Sequence, residues 1–240
     1  MQCGIKSRTN RNMIRFNIDA RLFSAVLEPP EIDLCFALSA TAVDADNIFQ
    51  LMKDTLKDLI DNYGIGKIRY SVISFGSQAN LLLGFDSGIS DPIKLKQRIS
   101  SYSRAGGDVP ALDKALEMAL ESFKDGVTRP NAKQVLVVIV DNGSGLEEGE
   151  IALKAKHLAE KGIRVIAVAV GADKQELEVV ASDKRDVLSV PTFIKPTNLS
   201  KEIFVLVVTG TFNLYVWEPK SLADIIARQS FLEDSFIPLQ

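Results

Sequence analysis

Apolar residues fall along this chain in two alternating rhythms: short continuous runs, and longer stretches in which they recur every three or four positions. After Pro29-Pro30, the run Ile32–Leu38 predicts a strand. Ile48, Leu51, Met52, Leu56, Leu59 and Ile60 then follow at helical spacing until Gly64-Ile65-Gly66 ends the pattern. Ile68–Phe75 alternates as a strand does, and Leu81–Phe85 predicts a second, with a hairpin turn at Gly76-Ser77 between them. Leu112, Ala115, Leu116, Ala119, Leu120 and Phe123 form one helical stripe. Val135–Val140 is apolar without alternation, the pattern of a strand covered on both faces. Ile151, Ala155, Leu158 and Ala159 mark another helix, which Gly162 stops before the strand Val165–Val170. Asp173 and Glu176 have the spacing of a capping box and predict a helix carrying Leu177, Val180 and Ala181. Leu199–Val208 reads both ways, because its β-branched residues favour a strand while Asn198 is able to cap a helix.

Strand and helix units in this alternation build a doubly wound, mainly parallel α/β sheet, here with one antiparallel edge strand and helices on both faces. In such sheets ligands bind beyond the carboxyl ends of the strands, so function is expected in the loops after Leu38, Ser103 and Val140. The double proline favours extended chain and marks a boundary. Residues 1–30 therefore read as an N-terminal extension, 31–210 as the domain and 211–240 as a C-terminal extension. In the last, Tyr215, Trp217 and Pro219 precede a short amphipathic pattern, Leu222, Ile225, Ile226 and Phe231.

Composition narrows the function classes. A hydrophobic content of 46% with 25% charged residues is that of a soluble globular protein. The net charge of -3 provides no broad attraction for phosphate backbones, so nucleic acid is not expected as a partner. No apolar stretch approaches the ~20 residues that span a bilayer, and the polar start does not read as a signal peptide. Cys35 sits inside an apolar run, where a small buried thiol is the simplest role, and Cys3 is the one other cysteine. Asn142-Gly143-Ser144 and Asn198-Leu199-Ser200 match the glycosylation acceptor pattern and are compatible with secretion.

The loops carry a resemblance. Ile32–Leu38 followed by Ser39-Ala40-Thr41-Ala42-Val43 resembles the first strand and DxSxS loop of von Willebrand factor A domains. Gly106-Gly107 with Lys114-Ala115-Leu116 resembles that family's second metal loop and the helix after it, and Val135–Val140 with Asp141-Asn142 resembles the strand ending in its Thr-Asp-Gly element. The likeness runs from about residue 30 to about 210, through Gly162–Val170 and Val190-Pro191-Thr192-Phe193, and is nearest in flavour to the domains of collagen-like and other matrix proteins.

What the resemblance implies is a non-enzymatic adhesion or matrix-assembly module, extracellular, with a protein partner such as a matrix component or another chain carrying the domain. A spacer domain and an intracellular, cytoplasmic scaffold subunit stand as alternatives. In the family a divalent ion is held by two serines, a threonine and two aspartates, and hard ions such as Mg²⁺ need several such oxygens. Position by position, the leading Asp is Ser39 here, the first Ser is Thr41, the second is Val43, and the threonine falls at Pro110. Thr41 and Asp141 remain as residual ligands, so no cofactor is expected, with a weak Mg or Ca site as the alternative. Loss of the leading carboxylate is consistent with a metal-free site, since two bare carboxylates ~4 Å apart repel by about 4 kcal/mol at an effective dielectric of 20. Asp44, Asp108 and Asp113 lie in or beside the same loops; Asp44 or Asp46 also suits a helix N-cap, and Asp113 a first turn. The expected partner surface comprises Ser39, Thr41, Val43, Asp108, Pro110, Asp141 and Asn142. No catalytic set accompanies it: the one histidine, His157, falls in a polar helical stretch, and Gly106-Gly107 lacks the Lys-Ser/Thr of a phosphate loop.

Overall fold

A computed structural model of the chain describes residues 30–39, 41, 44–107, 109–141, 148–172 and 175–211. Residues 1–29 and 212–240 of the expected extensions, Cys3 among them, Asp173 of the expected capping box and the site candidates Val43, Asp108 and Asn142 lie outside the described residues.

Six strands form one sheet: β1 Ile32–Ser39, β2 Ile68–Phe75, β3 Ala79–Leu83, β4 Lys133–Val140, β5 Arg164–Val170 and β6 Val187–Val190, in the order β3-β2-β1-β4-β5-β6. All pairings are parallel except β2 with β3. Helices α1 Ala45–Tyr63, α2 Pro92–Ser100, α3 Leu112–Ser122, α4 Glu148–Glu160 and α5 Pro196–Thr211 connect them. The central strands β1, β4 and β5 are buried on both faces, which is why β4 and β5 read as unbroken apolar runs. Leu34, Phe36 and Leu38 face a cluster with Met52, Leu56 and Ile203, while Cys35 and Ala37 face one with Leu116, Ala119 and Leu158. Cys35 is a free buried thiol, and burial pushes it up to about 12.

Four expectations change. β3 begins two residues earlier than Leu81–Phe85, because the tight turn with Gly76 N donating to Gln78 O (2.9 Å) starts pairing at Ala79 opposite Phe75. The helix α2 was not foreseen; Asp91 caps it through Ile93 N at 2.8 Å, with Pro92 in the first turn, a signal present in the sequence. The helix expected around Leu177 is only a 3-10 turn, Gln175–Leu177, with Val180 and Leu177 nonetheless buried. Leu199–Val208 is helical: Leu199, Ile203 and Val207 make an i, i+4, i+8 stripe against the sheet and α1, and that burial overrides the β-branched preference.

At the amino ends of the strands, polar side chains clamp the sheet. Asp33 on β1 is 0% exposed and takes Arg69 of β2 in a two-pronged contact (3.0 and 2.8 Å), the Arg129 backbone N–H (2.8 Å) and the Arg129 guanidinium (2.9 Å). Arg129 also donates to the carbonyls of Ile32 (2.7 Å) and Lys67 (3.0 Å), and Arg69 to Val127 O (3.0 Å). Across the sheet, Arg164 pairs with Asp186 and donates to Leu206 O (2.6 Å), joining β5, the approach to β6 and α5.

Burial alone would raise the Asp33 carboxyl, but hydrogen bonds from Arg69 and Arg129 and the charge of Arg129 outweigh it, and the group is held below its ordinary 3.8. A depressed folded value contributes stability that is present above the unfolded value and is lost as pH falls through the folded one. Stability is therefore expected to fall steeply below about pH 4. Asp33→Asn should lower stability at pH 7 by about 3–5 kcal/mol, on the order of 10 °C in melting temperature, and should flatten that acid loss. Thermal melts of both proteins from pH 3 to 7 test this; an unchanged acid limb in the variant would remove Asp33 from the account.

Candidate functional site at the carboxyl ends of the strands

β1, β2 and β4 end side by side at Ser39, Phe75 and Val140, and the loops leaving them form the site. Asp141, the first residue after β4, is buried, and its carboxylate turns toward the β1 loop. The Thr41 backbone N–H donates to both carboxylate oxygens, at 3.0 and 2.8 Å, and the Thr41 hydroxyl lies 3.4 Å from Oδ1. The two residues brought from 100 positions apart are thus in direct contact. Ser39 is 0% exposed, and its Oγ is buried without a hydrogen-bond partner among the described residues.

The next loop is locked to the β2–β3 hairpin. Ser77 N donates to Gly106 O (3.1 Å), Ala111 N to Gly76 O (2.7 Å) and Ala105 N to the Ser74 hydroxyl (2.8 Å). A Cβ on Gly76 would stand 2.3 Å from Gly106 O, and Gly107, at φ 112, leaves no room for one against Ser77 at 2.6–2.8 Å. Both glycines are required by this close approach. Pro110 is buried beside Ala111, at the β2 end of the same rim. Lys114 on α3 donates to Ser77 O (3.0 Å), and Arg104 reaches Asp46 on α1 (2.7 Å).

Of the expected site residues, Ser39, Thr41 and Asp141 lie together, and Pro110 lies along the rim. Asp44 occupies the N-cap position of α1 without a side-chain cap bond and instead accepts from Asn47 (2.7 Å). Asp46 is taken up by Arg104, and Asp113 stands in the first turn of α3. Among the described residues no three His, Cys, Asp or Glu side chains gather around one point. Missing from the sequence-based set are Ser74, Gly76 and Ser77, which shape the rim; the Gly76-Ser77 turn was legible, its contact with Gly106 was not.

The von Willebrand factor type A domain model matches residues 33–202. The mouse collagen alpha-5(VI) chain is 27% identical over 176 residues, 71% of this chain and 6% of its own length, and the mouse collagen alpha-6(VI) chain is 28% identical over 202 residues, 79% of this chain and 8% of its own. Human von Willebrand factor A domain-containing protein 2 is 27% identical over 157 residues, 64% of this chain and 20% of that protein. The chain thus spans a fifth or less of these relatives. Among solved structures, proximal thread matrix protein 1 of the mussel byssus superposes with a TM-score of 0.66 at 23% identity, over 75% of this chain and 48% of that one. Manganese-loaded TRAP protein of Plasmodium vivax does so with 0.59 at 15%, over 75% and 72%. The sheet order, the loops at its carboxyl rim and the family match together show that the chain belongs to the von Willebrand factor type A domain family.

Proposed function

We propose that this chain is a non-enzymatic protein-binding module of the adhesion or matrix-assembly kind, which engages an extracellular partner through the rim formed by Ser39, Thr41, Pro110 and Asp141 without a bridging divalent ion. The contact between Thr41 and Asp141 carries this reading. A carboxylate that accepts the backbone N–H of the facing loop at 2.8 and 3.0 Å is already the anchor joining two loops. Further support comes from the donor chemistry: the proline at 110 and the valine at 43 bring no side-chain oxygen, and one carboxylate with two hydroxyls is too few for the near-octahedral oxygen shell of Mg²⁺. The residues present do not fit a resident ion of that kind. The collagen VI chains and the byssus thread matrix protein, by their names, belong to matrices, which supports an extracellular setting. No helix among the described residues is long and apolar enough to cross a membrane.

One observation favours a second reading, a weak and altered cation site: the buried Ser39 hydroxyl has no partner among the described residues and stands at the end of β1, the strand beside β4. Thermal stability separates the two. Ligand at one hundred times its dissociation constant adds about 2.7 kcal/mol, roughly 5–10 °C for a domain of this size. Millimolar Mg²⁺ is expected to leave the melting temperature unchanged; a rise of that size, abolished by Asp141→Ala, would establish the second reading.

Restoring the lost donors gives the reverse test. Ser39→Asp, Val43→Ser and Pro110→Thr together, with Thr41 and Asp141, supply two carboxylates and three hydroxyls. Calorimetric titration should detect Mg²⁺ or Mn²⁺ binding in the folded triple variant and none in the single variants, because one added oxygen cannot complete the shell. Absence of binding in the triple variant at millimolar metal would mean that these loops do not converge as the family's do.

Partner binding itself is read by pull-down from matrix extract with the full chain. The captured partner should stay bound in EDTA and be lost with Thr41→Arg; release by EDTA would show that a metal bridges the contact after all.

A further inference from the structure

The strand β3 offers a second surface, at a sheet edge that begins next to the Gly76-Ser77 turn of the rim. It is an edge of the six-stranded sheet, and on its open side a groove of about 490 Å³ runs between it and α3. Ala79, Leu81 and Met118 form its apolar lining, and Leu81 is 49% exposed.

The backbone determines what this edge can bind. Gly76 N donates to Gln78 O, and Asn80 pairs with Ser74, so Gln78 and Asn80 point their backbone groups at β2. In an antiparallel ladder the intervening residues point the other way, and Ala79 and Leu81 present their N–H and C=O groups outward. Edge strands are normally blunted by charge, proline or brevity. The β6 edge is short, four residues, and follows Lys184 and Arg185; β3, Ala79-Asn80-Leu81-Leu82-Leu83, has neither charge nor proline. Such an edge pairs with another extended backbone, and a flanking apolar groove reads alternate side chains of the incoming strand.

We propose that the β3 edge and the β3–α3 groove are a strand-addition site for an extended, uncharged, apolar segment of a partner protein. Charge selects the class of segment. Each charged side chain on the groove's rim is already engaged: Lys114 with Ser77 O (3.0 Å), Glu117 with Lys154 (2.7 Å) and Glu121 with Lys124. Both carboxylates are neutralised by lysines and the one remaining ammonium is turned to a backbone carbonyl, so neither an acidic nor a basic run meets a matching cluster of charges. Size selects a peptide over a second copy of this chain, since a five-residue edge is only about 17 Å long, whereas a stable dimer needs about 800 Å² from each partner.

Random peptides displayed on phage and selected against the full chain test this. Enriched peptides should share an uncharged stretch with apolar residues at alternate positions, and on binding should slow hydrogen exchange at the Ala79 and Leu81 amides at least tenfold. Leu81→Pro, which removes an outward N–H without touching the β2 ladder, should weaken binding at least tenfold, as should Met118→Trp, which fills the groove; Leu81→Val and the rim variant Thr41→Arg should not. Should Leu81→Pro fail to fold, Met118→Trp and the exchange measurement decide alone. Failure to enrich any peptide, or peptides held equally by wild type and Met118→Trp, overturns the proposal. So does concentration-dependent self-association in sedimentation that Met118→Trp abolishes, which would seat a second copy there.

Discussion

A carboxylate cut off from water at the start of the first strand must be neutralised where it stands, and the way Asp33 is neutralised ties the sheet together. Its two guanidinium partners come from β2 and from the segment leading into β4, the two strands that flank β1. An unpaired charge in that position would cost several kcal/mol, so the register of three adjacent strands is selected by one electrostatic demand. Arg129 also donates to the backbone carbonyls of Ile32 and Lys67 at that end of the sheet. With the amino ends held in this way, the carboxyl ends of β1, β2 and β4 emerge at one level, and the loops they release meet.

That meeting gives the rim its chemistry. Asp141 joins the β4 loop to the β1 loop through the Thr41 amide, and the Ser74–Ser77 hairpin joins the next loop through Gly106 and Ala111. Both contacts use backbone groups, so the rim's shape is set by main chain packed closely enough to demand glycine at 76 and 107. On the reading proposed above, a surface held in this way recognises a partner by shape and hydrogen bonding, with the Thr41–Asp141 contact in the place of a bridging ion. The β3 edge differs in kind: it presents unpaired backbone beside an apolar groove, and would gain a partner by extending the sheet.

Much of this was legible in the order of residues. The double-sided burial of β4 and β5 is written in their unbroken apolar runs, the α1 and α3 stripes in their spacing, and the rim in the family likeness of the loops after Leu38 and Val140. Periodicity failed where burial and local preference disagree. Val205, Val207 and Val208 favour a strand as isolated residues, yet α5 forms because Leu199, Ile203 and Val207 fit one face of a helix against α1, where Tyr63 stacks on Phe204. Around Leu177 a capping signal predicted a helix, but the described residues make a 3-10 turn there, Gln175–Leu177, and a second at Lys184–Asp186 leads into β6.

The sequence by itself determined the alternation of strands and helices, the residues that face the core, and the oxygen-bearing side chains at the rim, because these depend on the period of apolar positions and on side-chain identity. Only the tertiary structure decided that Asp33 meets Arg69 and Arg129, that Asp141 is bound by the amide of Thr41, and that Gly76 lies against Gly106. These contacts join residues 30 to 100 positions apart, and their partners are chosen by the register of a folded sheet, which no local pattern encodes.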